Sequence, residues 1–236
     1  MALELGRRGP FVHALGRRED RLLDLIDELE GGGMAHTVDV THPEALRAAM
    51  SLADTSRLDG DKGGPLDLVI ANAGIAENGI EATDAADAAR QVLAVNAAAA
   101  ATTLEYGRAL MLPRGIGQLC AISSLAGTRG LPGAPAYCAS KAALSTYVEA
   151  LRFQLRGTGL RITDVQPGFI KTAMTDRNSF SMPFLLELED AAVRTVNALL
   201  RGKPPATLRY PRRLAWPLRL AAKSLPGWAW QRILAQ

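Results

Sequence analysis

The chain has 236 residues, 48% of them hydrophobic, and a formal net charge of +3. That length sits near the upper end of one domain, and that apolar share excludes a disordered chain. No apolar run approaches the roughly 18 residues of a spanning helix, and the start MALELGRRG lacks the long apolar stretch of a signal peptide. Residues 1–236 are therefore read as one domain of an expected cytoplasmic protein. Its two cysteines, Cys120 and Cys138, are expected as free thiols. Neither a metal site nor a nucleic-acid partner is expected.

In chain order, short apolar runs alternate with longer helical patterns. The runs at 10–15, 34–38, 66–71, 118–123, 160–165 and 206–210 read as strands. Glu19–Glu30, Pro43–Leu58, Asp84–Leu112 and Pro135–Arg156 read as helices between them, and Asp59–Pro65, with three glycines, as a loop. This alternation predicts βαβ units: an α/β, Rossmann-like, doubly wound parallel sheet with right-handed crossovers. Such sheets bind ligands at the carboxyl ends of their strands, which is where chemistry is expected.

Tyr137 and Lys141 stand four residues apart in Tyr-Cys-Ala-Ser-Lys, on one face of a predicted helix. A free phenol has a pKa of about 10, and a fixed cation nearby favours its ionised form. The pair suits proton exchange with a carbonyl/alcohol couple. Thirteen residues earlier, in the strand-end sequence AISSLAG, Ser124 can hold a carbonyl oxygen, with Ser123 as the competing choice. Asn96 lies inside an alanine-rich helix, where asparagine is a poor choice unless it bonds something.

Together with Asp39-Val40, Asn72-Ala73-Gly74 and the stretch from Pro167-Gly168 to Thr172, these pieces resemble the short-chain dehydrogenase/reductase family, in family order over nearly the whole chain. The resemblance implies an oxidoreductase that moves a hydride between a nicotinamide cofactor and a carbonyl or secondary alcohol. It makes Tyr137 the general acid of the reductive direction. Lys141 would lower the pKa of Tyr137 and bond the nicotinamide ribose, Ser124 would orient the carbonyl, and Asn96 would hold a water that relays protons to Lys141. Asp39 and Val40 would border the adenine. Asn72, Ala73 and Gly74 would line the cofactor floor, followed by Pro167 and Gly168, with Ile170 and Thr172 on the carboxamide. It also implies a homodimer or homotetramer, a substrate lid at 169–186 and a last strand within 206–236.

In the family, the end of the second strand faces the adenosine ribose, and an acid there selects NAD. Here Gly16, Arg17 and Arg18 follow the strand, so NADP is expected over NAD, with the Arg17 fork on the 2′-phosphate. The alternative is that both arginines are solvated. The lid carries Phe180, Met182, Pro183, Phe184, Leu185 and Leu186, which suggests an apolar substrate or, equally, packing against the core.

The departure is at the start. The family opens with a strand and a TGxxxGxG loop whose backbone N–H groups meet the pyrophosphate. Neither is present here, and MALELGRRG reads as the later part of the following helix. By family order the absent strand is the central one, between the runs at 10–15 and 66–71. A late start codon or a truncated gene is the expected origin. The sheet is expected to be split and cofactor binding by these 236 residues to be weak. The alternative function is that of an inactive remnant, acting as a binding or scaffold protein.

The other uneven feature is charge. Up to Asp190 there are 18 cations against 24 carboxylates; beyond it there are nine cations and no carboxylate. All three tryptophans, Trp216, Trp228 and Trp230, also fall in this tail. Peripheral contact with an anionic membrane is one reading, and an ordinary solvated basic face is the other.

Overall fold

The computed structural model describes residues 1–56, 64–178 and 181–234. Most of the expected loop 59–65, the residue Leu58 and the lid residue Phe180 lie outside the described residues. The chain opens with a short helix α1 (Ala2–Gly6), then alternates β1 (Val12–Gly16), α2 (Glu19–Asp27), β2 (Gly33–Thr37), α3 (Pro43–Thr55) and β3 (Leu68–Ala71). A long helical run follows, made of α4 (Ala85–Leu93), a π-helical segment (Ala94–Ala99) and α5 (Ala100–Met111). Then come β4 (Gly117–Ile122), α6 (Pro135–Gln154), β5 (Leu160–Pro167), α7 (Leu188–Leu199), β6 (Thr207–Tyr210), α8 (Arg212–Ser224) and α9 (Gly227–Leu234). All six sequence-read strands form, within two residues at each end. The expected helix over 84–112 is interrupted at Asn96, because one residue's extra bulk of backbone there re-aims the amide toward the loop after β3. Among the described residues no helix is long and apolar enough to cross a membrane.

Every strand pair is parallel, as short βαβ crossovers require, but the strands fall into two sheets. One is β1–β2; the other has the order β3–β4–β5–β6. The main core lies on the α5/α6 side of the larger sheet, where Leu104, Leu119, Leu144 and Val148 are wholly buried. Gly107 permits this packing: a Cβ there would press within 3.0 Å of Leu119 and Val69.

Among the described residues β1 and β3 each pair on one side only, and their open edges face a cavity of about 1180 Å³ lined by Val12, Ala14, Val69 and Ala71. A five-residue strand occupies roughly 16 Å by 5 Å by 10 Å, or on the order of 800 Å³. The space between the sheets is therefore large enough to hold one strand. The split sheet expected from the sequence is present, at the expected place. Asn72 and Ala73 stand at the mouth of this cavity, on the carboxyl end of β3.

Candidate active site

The carboxyl ends of β3, β4 and β5 bring the central group together. Pro135 occupies the first turn of α6, where its missing N–H costs nothing. Tyr137 and Lys141 follow one turn apart, and the Lys141 ammonium lies 5.7 Å from the Tyr137 ring centre. Lys141 is 4% exposed and donates to the Ile122 carbonyl at 2.8 Å, the end of β4. Burial depresses its pKa to about 8, against a smaller opposing pull from Asp164.

Ser124 caps the 3₁₀ turn Leu125–Thr128 that follows β4. Its hydroxyl accepts from the Ala126 N–H at 3.1 Å and donates to the Pro167 carbonyl at 3.4 Å. Gly127 sets this turn directly on α6: a Cβ there would fall 2.7 Å from the Lys141 carbonyl carbon, so any side chain forces the turn outward. That close approach is what seats Ser124 beside Tyr137. The neighbouring Ser123 is committed elsewhere, since its hydroxyl is buried against the Asp164 carboxylate and the Val165 carbonyl. Strand alternation separates the two serines: successive residues leave β4 on opposite faces.

Burial pushes the Tyr137 phenol up, the Ser124 hydrogen bond draws it back, and Cys138 and Glu77 add to the rise. The dominant effect is desolvation, which disfavours the phenolate, and it depresses the lysine at the same time. At neutral pH the phenol is protonated and able to donate.

Asn96, wholly buried, has its reason. Its Oδ1 accepts from the Ile75 N–H and its Nδ2 donates to the Ile75 carbonyl, both at 2.8 Å, with Ser140 Oγ at 3.1 Å. The amide therefore clamps the loop after β3. At Gly74 in that loop, a Cβ would stand 3.3 Å from Lys141 Nζ and 3.5 Å from Asn96 Oδ1. Gly74 thus borders the lysine, with Asn72 and Ala73 leading to it from β3. Pro167 ends β5, and Gly168 gives up its Cβ to the packing of Leu214 and Pro211. Ile170 bridges Leu186, and the Thr172 N–H donates to Thr175 Oγ1 at 2.8 Å, which curls the segment back. Phe184 and Leu185 of the expected lid are exposed.

At the other end of the site, Arg17 follows β1, 68% exposed at its side chain, and faces Asp39 at 3.8 Å. Burial works against the ionised Asp39, but hydrogen bonds from the Thr41 backbone and hydroxyl, with Arg17 beyond, hold its carboxyl below the usual range. Arg18, also exposed, precedes α2 as its N-cap. Val40 packs partly against the main core.

One residue escaped the sequence reading. Glu77 Oε1 accepts from the N–H groups of Ala136 (2.7 Å) and Tyr137 (3.0 Å), so a carboxylate 59 residues earlier caps a helix that has no cap of its own. The bare N-terminus of the Pro135 helix was a signal in the sequence; the identity of its partner was not.

The described residues fit a nicotinamide cofactor at its two ends. The open floor at Gly74 adjoins Lys141, and the uncrowded Gly16 and Arg17 end β1. Between these ends they present no glycine-rich turn. A doubly wound parallel fold with tyrosine, lysine and serine gathered at its strand ends defines a Rossmann-like protein of dehydrogenase type. The family model for short chain dehydrogenases matches residues 1–181. An uncharacterized oxidoreductase of Myxococcus xanthus is 42% identical over 227 residues, covering 96% of this chain and 87% of that protein. The fold resembles a short-chain dehydrogenase of Sphingobium yanoikuyae in complex with NADPH, at TM-score 0.76 and 20% identity over 96% of this chain and 91% of that one. It also resembles a short chain dehydrogenase of Mycobacterium paratuberculosis bound to NAD, at TM-score 0.71 and 23% identity over 88% and 89%. The chain belongs to the short-chain dehydrogenase/reductase family of oxidoreductases.

Proposed function

We propose that the chain is a reductase of apolar carbonyl compounds, or a dehydrogenase of the matching secondary alcohols, that prefers NADP. The observation that carries this reading is the seating of Ser124 by Gly127 against the helix that bears Tyr137 and Lys141. Arg17 would hold the 2′-phosphate, with Arg18 beside it and Asp39 and Val40 against the adenine. Asn72, Ala73, Gly74, Pro167, Gly168, Ile170 and Thr172 would line the rest of the cofactor site, and Lys141 would bond the ribose. When bound, NADPH supplies the hydride. Ser124 orients the carbonyl, Tyr137 donates its proton to the carbonyl oxygen, and Lys141, held by the Ile122 carbonyl, borders the path by which that proton is replaced. Asn96 fixes the floor and would hold a water that relays protons to Lys141.

The segment 169–186 acts as the lid, and exposed Phe184 and Leu185 suit an apolar substrate. The reading includes a homodimer or homotetramer in the cytoplasm. Tyr137→Phe removes the donor and leaves cofactor binding nearly intact, so turnover falls by at least about 100-fold at unchanged NADPH affinity. The measurement is NADPH and NADH oxidation against a panel of apolar ketones. Retention of a tenth of the rate, or a preference for NADH, overturns the assignment.

A second reading, a non-catalytic binding or scaffold protein, is favoured by one observation: the described residues place no glycine-rich turn at the mouth of the cavity between β1 and β3. A folded chain that neither binds NADPH nor turns over any carbonyl or alcohol would separate it from the first.

A further inference from the structure

We infer that α8 and α9 form a docking surface for an anionic lipid bilayer. On α8, steps of 100° per residue bring Arg212, Arg213, Trp216, Arg219, Leu220 and Lys223 within about 60° of one line. The opposite side holds buried Ala215 and half-buried Leu218, and packs on the body of the protein. The outward face therefore combines cations with large apolar groups: Trp216 is 74% exposed and Leu220 69%. α9, which follows, adds Trp228, 70% exposed, and exposed Arg232 and Ile233. Scattered single apolar side chains on a surface are ordinary, but an exposed tryptophan and leucine one turn apart among four cations are not. Among the described residues none of Arg212, Arg213, Arg219, Lys223 and Arg232 has an ion-pair partner. Beyond Asp190 no carboxylate exists in the sequence to supply one.

Unpaired cations beside exposed indole rings suit one environment best. The rings lie at the level of lipid headgroups, and the long cationic stems reach the phosphates. The surface is also held rigidly. Arg129 donates to the carbonyls of Ala222 in the last turn of α8 (3.0 Å) and of Leu225 between the two helices (2.7 Å), and stacks over Trp230 at 5.0 Å. Trp230 is buried and donates to the Gly130 carbonyl at 2.8 Å. The tail is thereby fixed to the turn that follows Ser124, so a membrane that holds the tail also lies beside that turn.

The test uses intrinsic fluorescence, because every tryptophan of the chain lies in this tail. The full chain is mixed with vesicles of phosphatidylcholine carrying phosphatidylserine, and with phosphatidylcholine alone. Anionic vesicles are expected to sediment the protein at low salt and shift its emission to the blue. Added salt is expected to reverse both effects. Arg212→Gln with Lys223→Gln removes two exposed cations, and partitioning falls by roughly thirtyfold, about fivefold per charge. Trp216→Ser weakens binding while the far-ultraviolet spectrum and melting of the protein stay as they were. Equal recovery in the supernatant with both vesicles overturns the inference. So does equal binding to neutral vesicles, which would be apolar adsorption. Self-association in the absence of lipid that Trp216→Ser abolishes would assign the face to a second copy of the chain instead.

Discussion

At the scale of single residues the site depends on groups that hold the reacting ones. Glu77 is the sharpest case. Its carboxylate satisfies two N–H groups at the start of α6 and places a negative charge at the helix end nearest Tyr137. A helix N-terminus by itself favours an anion, so this charge cancels help the phenolate would otherwise receive. Glu77→Gln keeps an acceptor oxygen and removes the charge. The limb of the pH–rate profile that reports Tyr137 is expected to move to lower pH, with melting almost unchanged. Glu77→Ala loses the cap as well and costs about 1 kcal/mol of stability. A Glu77→Gln profile that superimposes on the parent profile would leave Glu77 a cap and nothing more.

At the scale of elements the smaller sheet carries its own pH sensitivity. His13 on β1 and His36 on β2 meet at 3.0 Å between Nδ1 and Nε2, and one must be neutral to accept. Burial lowers the pKa of both below 6.5, and His36 adds to the lowering of His13. A base with a depressed folded pKa binds fewer protons folded than unfolded. Its contribution to stability is therefore complete above pH 6.5 and is lost as pH falls through the lowered folded value. The melting temperature is expected to drop on going from pH 7 to pH 5, and His13→Gln to flatten that slope. An unchanged slope in His13→Gln would place the acid sensitivity elsewhere. Close approaches also join elements near the site, as Gly127 on α6 and Gly168 under Leu214 illustrate.

At the scale of the whole molecule the gap between β1 and β3 matters most. Two strand edges face it without ladder partners, and each unmade buried hydrogen bond costs about 1–3 kcal/mol. An engineered chain with about 20 residues added ahead of Met1, carrying an apolar strand and a TGxxxGxG turn, fills the gap and supplies N–H groups to a diphosphate. Several new ladder bonds are worth about 5 kcal/mol, which raises the melting temperature by about 10–20 °C for a chain of this size. NADPH affinity is expected to rise with it. Side-by-side melting and NADPH titration check both. Equal melting temperatures would show that the open edges cost little, and tight binding without the extension would show that the glycine turn is dispensable.

The sequence by itself determined the parallel strands, because apolar runs of four to eight residues alternating with amphipathic helices have few other solutions. It also determined the tyrosine–lysine pair, since helical spacing alone puts residues four apart on one face. Even the split of the sheet was legible, through the family resemblance, whose strand order makes the absent strand the central one. Other features were settled only by the tertiary structure. Which of Ser123 and Ser124 faces Tyr137 depends on which side of β4 meets α6. The direction of the Tyr137 shift depends on how much water the folded chain removes from the phenol, which no local pattern records. The capping of α6 by Glu77 joins residues 59 and 60 positions apart, and the tail's grip on the Ser124 turn joins residues as far as 100 apart. Contacts across such separations follow from the packing of whole elements, and only the folded chain specifies that packing.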